Sequence, residues 1–192
     1  KSDAIDEYDE TFYGGIQHHP YYIPWGHIAT GTCMFTIDDM NDEPQMSVSA
    51  TPDHCLEGQN ATFTVTVGAS EKEVEVYYAT VDGMAAGGVD YAEGYGSLFF
   101  DASSSPRSQT ISVATYADQI DEYDEDFSLV LSDAANAQIV TDTAACDIMD
   151  NSPEPGVSVS VSPGQDKEGS VAQFTVTVQP SDRVVTVHYA TF

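Results

Sequence analysis

Residues 47–81 read SVSATPDHCLEGQNATFTVTVGASEKEVEVYYATV, and residues 158–192 read SVSVSPGQDKEGSVAQFTVTVQPSDRVVTVHYATF. At a constant offset of 111, with no gap, 18 of these 35 positions are identical. A second echo joins AIDEYDETF (4–12) to QIDEYDEDF (119–127) at offset 115, and Ile37 and Pro44 fall on Ile148 and Pro155 at 111. The four-residue difference lies in one loop, HHPYYIPWG (18–26), which is longer than its counterpart DAANA (133–137). Self-similarity at a fixed period means tandem modules. The chain therefore reads as the back of one repeat (1–44), a complete repeat (45–155) and the front of a third (156–192). The two end pieces together lack the equivalent of residues 82–115, so the expectation is a window on a longer array.

Inside the full repeat the period is two. Phe63, Val65 and Val67 alternate with Thr62, Thr64 and Thr66, and Val74, Val76 and Tyr78 alternate likewise, as do Phe127, Leu129 and Leu131. Turn clusters such as DGMAAGG and DASSSP separate the runs, and no helical stripe interrupts them. About seven short strands in some 110 residues predict an all-β, antiparallel, immunoglobulin-like sandwich.

Charge narrows the function. The chain carries 32 Asp plus Glu against 5 Lys plus Arg, a formal net charge of −27. That excludes nucleic acid and disfavours an anionic membrane surface, both of which need clustered cations. No apolar run reaches the length of a membrane span. The acids are interleaved with strands, which rules out an acidic tail and leaves a solvated surface or cation sites. The densest stretch, DQIDEYDEDF (118–127), sets six carboxylates in nine positions beside a strand. Two like charges about 4 Å apart repel by roughly 4 kcal/mol at an effective dielectric near 20, against a whole-domain stability of about 5–15 kcal/mol. The recurrence of the phrase points to a cation with a taste for hard oxygen, and Ca²⁺ takes six to eight such ligands. No EF-hand loop is present.

The Glu-Gly after the first strand, AAGGVDYAEGYGSLFF, DEYDEDFSLVLS and IMDNSPEPG occur in an order and spacing that resemble the Calx-beta domain. The resemblance covers the chain in three phases. It implies a calcium-binding β-sandwich of the kind found in sodium–calcium exchangers and in extracellular adhesion proteins. Carried over by position, the implied ligands are Glu57, Asp90, Asp118, the Ile120 carbonyl, Glu122, Glu125 and Asp150, with Asp3, Glu7, Glu10 and Asp39 in the first repeat. Asn151-Ser152 after Asp150, and Ala117 before Asp118, hold fewer carboxylates than strong binders, which implies one or two ions per domain. If Glu57 and Asp150 share an ion, Cys55 and Cys146 lie on neighbouring strands and are expected to form a disulfide, the alternative being two buried free thiols. Cys33 would have its partner upstream.

Asn60-Ala61-Thr62 is a glycosylation sequon whose Asn points outward if Phe63 points inward. The 18–26 loop, with His18, His19 and Trp25, is expected to fold onto its own domain or to meet a sugar or another chain. No nucleophile–base set or phosphate loop can be assembled, so catalysis is not expected. The expected function is a calcium-binding structural or adhesive module, extracellular or at the cell surface. Its expected partners are neighbouring repeats, identical chains in a fibre, and glycans. The alternatives are a calcium sensor of a membrane transporter or receptor, and a carbohydrate-binding adhesin module.

Overall fold

The alternation along β5 (Asn60–Val67) builds the centre of the molecule. Ala61, Phe63, Val65 and Val67 are buried, and the intervening threonines are half-buried. β-Branched and aromatic residues at every second place suit a pleated surface with one apolar face. The computed structural model, which describes residues 5–16, 31–162, 164–165 and 167–192, sets β5 in a four-stranded sheet. That sheet comprises, in order, β10 (Gln138–Thr141), β3 (Gln45–Ala50), β5 and β8 (Arg107–Ala114). Facing it is a five-stranded sheet of β4 (His54–Leu56), β11 (Thr143–Met149), β9 (Glu125–Ala135), β6 (Val74–Asp82) and β7 (Tyr95–Phe100), in that order. Phe63 from one sheet meets Phe127 from the other edge-on, with centroids 5.7 Å apart, and Tyr91 stacks on Phe127 at 4.2 Å. The result is the expected sandwich. Among the described residues no helix is long and apolar enough to cross a membrane.

Two pairings depart from an all-antiparallel arrangement: β10–β3 and β11–β4 are parallel. Gln138 sits opposite Gln45 and Asp147 opposite His54, a separation of 93 residues in both cases. Residues 45–56 and 138–149 thus run side by side in one direction, first in one sheet and then in the other. This closes one side of the sandwich and leaves few free edges there.

Cys55 lies opposite Ile148 in that register, so Cys146 is its diagonal neighbour. The disulfide expected for this pair is not formed: both are buried free thiols. Burial raises the Cys55 thiol and, with Cys55 alongside, pushes Cys146 up to about 12. Cys33 is exposed and free.

A hairpin flanks the sandwich on each side in sequence. β1 (Glu10–Gly15) pairs with β2 (Thr32–Ile37), Glu10 opposite Ile37, as Glu125 of β9 lies opposite Ile148 of β11. β12 (Val157–Ser162) pairs with β13 (Gln173–Val178), Val157 opposite Val178, as Met46 of β3 lies opposite Val67 of β5. The hairpins repeat the registers of the central unit but are exposed along most of their length.

One contact, built twice, ties them on. The buried Asp6 carboxylate accepts from Ser70 Oγ at 3.1 Å and pairs with Lys72 Nζ at 2.9 Å, while its carbonyl accepts from the Glu71 amide at 2.9 Å. At the other junction Asp121, also buried, accepts from Ser181 Oγ at 2.9 Å, pairs with Arg183 at 3.5 Å, and accepts at its carbonyl from the Asp182 amide at 3.0 Å. Lys72 lies over the Tyr8 ring and Arg183 over the Tyr123 ring. Every member of the second set is the repeat equivalent of the first. A buried carboxylate held this way is expensive to leave unpaired.

Equivalent positions should respond differently to truncation. Phe127→Ala should cost the central sandwich about 3–5 kcal/mol, whereas Phe12→Ala, its repeat equivalent at an exposed site, should shift stability by less than about 0.5 kcal/mol. Urea unfolding of dilute samples followed by near-ultraviolet circular dichroism checks both. Equal losses would contradict the assignment of the core.

Candidate metal centre

Four loops converge at one end of the sandwich, and each is pinned by packing or hydrogen bonds. Glu57 ends β4: its amide donates to the Met149 carbonyl at 3.2 Å, and Asn151 Nδ2 donates to its carbonyl at 3.0 Å. Gly58, at φ +74°, turns the chain immediately afterwards, with the Ala117 methyl 3.0 Å from where a Cβ would stand. That is the physical content of the Glu-Gly pair. Thr115 Oγ1 donates to the Gln59 carbonyl at 2.7 Å, fastening the same turn to the end of β8. Asp90 is placed by its neighbour: Tyr91 is buried against Phe127 and its hydroxyl donates to Asp82 at 2.5 Å, while Asp90 accepts from the Ala86 amide at 2.7 Å.

The acidic phrase divides its six carboxylates among several tasks. Asp118 accepts from the Ile120 amide at 2.7 Å and so caps its own turn. Asp121 leaves for the junction described above, Asp124 accepts from the Asp150 amide at 3.1 Å, and Asp126 accepts from the Met84 amide at 3.3 Å. Asp150 in turn accepts from the amides of Glu122 (3.3 Å) and Ser152 (2.9 Å). These bonds leave Glu57, Asp118 and Glu122 facing one another.

Oxygen atoms of Glu57, Asp118 and Glu122 all lie within 4.8 Å of each other. Ligands of one Ca²⁺, at about 2.3–2.6 Å from it, can be separated by at most about 5 Å. The spacing therefore suits one shared ion. Glu57 Oε2 is buried with no hydrogen-bond partner, an uncommon state for a native carboxylate. Burial, followed by the charges of Asp150, Asp118, Glu122 and Asp90, raises Glu57 to about 7. Burial and then Asp90 raise Glu125 to about 7, and Glu122 is raised by burial and then Asp118. All six implied carboxylates of the central repeat thus act on one small region, and the donor set is purely oxygen. It fits a hard divalent cation.

The same hydrogen-bond scaffold recurs around residues 7–41. The Glu7 amide donates to Asp39 at 2.9 Å, the Asp39 amide donates to Asp9 at 2.9 Å, and the Asn41 amide donates to Asp39 at 3.1 Å. The bonds from the Glu7 amide and then the Asn41 amide hold the Asp39 carboxyl below the usual range. Glu10 is exposed at the start of β1. Asp3, His18, His19 and Trp25 lie outside the described residues. Asn60 is exposed at the head of β5.

Sequence reasoning missed Asp182 and Arg183, which belong to the following repeat. Arg183 reaches Asp150 at 3.6 Å as well as Asp121, and Asp182 adds to the raised values of Glu122 and Glu125. Pairing Asp182-Arg183 with Glu71-Lys72 at offset 111 was the available signal.

A family model identifies the chain. The model of the Calx-beta domain matches residues 39–152. Among solved structures, the apo-form Calx CBD1 domain is 22% identical, over 57% of this chain and 99% of that one, with a TM-score of 0.48. The CBD12 pair of CALX1.2 is 23% identical over 59% of this chain and 48% of its own, with a TM-score of 0.47. The Calx CBD2 domain is 14% identical over 56% and 86%, with a TM-score of 0.46. No curated protein matches by sequence.

The raised carboxyls carry a pH signature. Glu57 and Glu125 hold their protons up to about pH 7 when folded without metal, but ionise near 4.5 when unfolded. Between those limits the folded state binds more protons, so stability falls as pH rises. In chelator, the melting temperature should therefore climb when pH is lowered from 7.5 towards 5. A flat or opposite trend would show that these groups ionise freely.

Proposed function

The chain belongs to the Calx-beta domain family, and we propose that residues 45–155 form a calcium-binding module of a tandem array in which the ion fixes the posture of successive repeats. The observation that carries this reading is the Glu57–Asp118–Glu122 oxygen cluster with its buried, unpartnered Glu57 oxygen. Glu57, Asp118 and Glu122 would hold the ion, with Asp90, Glu125, Asp150 and the Ile120 carbonyl completing the shell of this site or of an adjoining one. The bound cation supplies the positive charge that allows these acids to ionise together. The chain's own residues do the rest: Gly58, Tyr91 and the Asp124–Asp150 bond set the loops, and Asp121 fastens the next repeat.

Binding and posture are linked through the acidic phrase. Asp118, Glu122 and Glu125 face the cluster while Asp121, within the same eight residues, anchors Ser181 and Arg183. Without an ion the repelling side chains favour an open loop; with one, the loop closes in the conformation that presents Asp121. This is a binding role.

Two settings use such a module. Calcium control of a transporter or receptor is favoured by family membership, with Arg183 reading the state of Asp150 from the next domain. An adhesive array at the cell surface is favoured by the exposed Asn60 sequon and the repeats on either side. Intact mass of the native protein separates the two: a glycan on Asn60 places the chain outside the cell, and a bare Asn60 favours the regulatory setting.

Calcium should raise the melting temperature of the central repeat by binding linkage, by about 2.7 kcal/mol of stability at 100 times Kd. Glu57→Gln combined with Asp118→Asn should abolish that gain while leaving the metal-free protein folded and no less stable, because like charges are removed. Scanning calorimetry with calcium and with chelator decides. An unchanged wild-type melting curve would refute calcium binding.

A further inference from the structure

In so acidic a chain, the outer side of the five-stranded sheet carries little charge. It presents Glu75, Tyr77, Ala79 and Val81 from β6 and Tyr95, Ser97 and Phe99 from β7, while Val74, Val76 and Phe100 face the core. The register sets Glu75 opposite Phe99, Tyr77 opposite Ser97 and Ala79 opposite Tyr95, so Tyr77 is the diagonal neighbour of both other aromatics. Tyr95, Phe99 and Tyr77 are 87%, 61% and 49% exposed. Glu75 is the only charged residue among them, and none of the five Lys and Arg lies in β6 or β7. All of these residues fall within the 39–152 segment that the family model matches.

Beside the rings lies an unguarded sheet edge. β7 is the outermost strand of its sheet, pairs with β6 in unbroken register, and contains no charge and no proline. Edge strands are normally blunted by one of those devices. The Thr80 amide donates to the Gly94 carbonyl at 2.8 Å. By the alternation of an antiparallel ladder, Gly96, Leu98 and Phe100 then turn their backbone groups to β6, and Tyr95, Ser97 and Phe99 turn theirs outward. The Phe99 carbonyl accordingly accepts from Gln109 Nε2. The amides of Tyr95, Ser97 and Phe99 and the carbonyls of Tyr95 and Ser97 meet no partner among the described residues.

The protein's own cations show what such a surface holds. Lys72 Nζ sits 5.6 Å from the Tyr8 ring centroid and 2.9 Å from Asp6, and Arg183 sits 5.2 Å from the Tyr123 centroid and 3.5 Å from Asp121. In both places a cation takes an aromatic ring and a carboxylate together. Tyr77, Tyr95 and Phe99 with Glu75 offer the same two chemistries, and among the described residues no cation sits with them.

We propose that β7 accepts an extended segment of a basic partner protein as an added strand, its alternate Lys or Arg side chains lying on Tyr95, Phe99 and Tyr77 beside Glu75. Main-chain bonds to Tyr95, Ser97 and Phe99 supply affinity, and the rings and Glu75 select the side chains. Cations two residues apart on the added strand fall on one face, the same period as the outward residues of β7. The net charge of −27 draws such a segment in and turns acidic ones away. A second copy of this chain is a poor occupant, because two such faces bring like charge and no base to the contact. The site uses none of the proposed calcium ligands and stands or falls apart from the calcium reading.

An end-capped peptide alternating lysine with threonine is the probe, compared with a lysine–proline peptide of equal charge that cannot make the ladder. With calcium present, in salt that screens unspecific attraction, fluorescence anisotropy should show saturable binding of the first peptide and roughly tenfold weaker binding of the second. Ser97→Pro removes an outward amide while sparing the bonds to β6, and Glu75→Gln combined with Phe99→Ser removes the cation seat. Each variant, its folding established by its melting curve, should weaken the first peptide by a similar factor. Exchange of the Tyr95, Ser97 and Phe99 amides should slow in the complex. No binding of the first peptide, equal binding of the two, indifference to the double variant, or unprotected amides at 95–99 would each overturn the proposal. So would wild-type dimers that Ser97→Pro dissolves, which would make a second copy the occupant.

Discussion

Repulsion among carboxylates is the constraint around which this chain is organised. A net charge of −27 and a phrase with six acids in nine positions would oppose folding if every group ionised in the same small volume. The structure answers in two ways. Asp121, Asp124 and Asp126 are spent on serine, arginine and backbone amides, where a negative charge is welcome. Glu57, Asp118 and Glu122 are left facing each other, a state that protonation or a cation relieves. Calcium is the occupant that answers the second group without disturbing the first.

The same constraint explains how a loop becomes a joint. Asp121 holds Ser181 and Asp182 through both its carboxylate and its carbonyl, and Asp6 does the same with Ser70 and Glu71. The basic partner is Lys72 at one junction and Arg183 at the other, each set over a tyrosine of the acidic phrase. The basic side chains are conspicuous in a chain with only five Lys and Arg. Two of them stand at positions related by the sequence repeat, each beside a copy of the acidic phrase.

Much of this was legible in the sequence because the chain repeats itself. Period-two alternation identified the buried faces of β5, β6 and β9, and the hairpins kept the registers that the offsets of 111 and 115 imply. The parallel β10–β3 and β11–β4 pairs were not legible, because they join segments 93 residues apart with no local turn to announce them. The expected Cys55–Cys146 disulfide is not formed, because the register sets the two thiols diagonally, and that relation cannot be told from a direct one in the sequence. Asp182 and Arg183 escaped notice because their partners lie in the preceding module, whereas ligand patterns are read within one. The six central carboxylates were expected from a resemblance to a family pattern, and the structure brings oxygens of three of them, Glu57, Asp118 and Glu122, within 4.8 Å of one another. The division of labour among neighbouring acids emerged only from the hydrogen bonds.

The central claim is that one divalent ion sits between Glu57, Asp118 and Glu122. The most direct test is an anomalous-difference map from crystals of the chain grown with a lanthanide in place of calcium. The account predicts a peak within about 2.3–2.6 Å of an oxygen from each of the three residues. A map with no peak there, and with the three side chains turned apart into solvent, would contradict it.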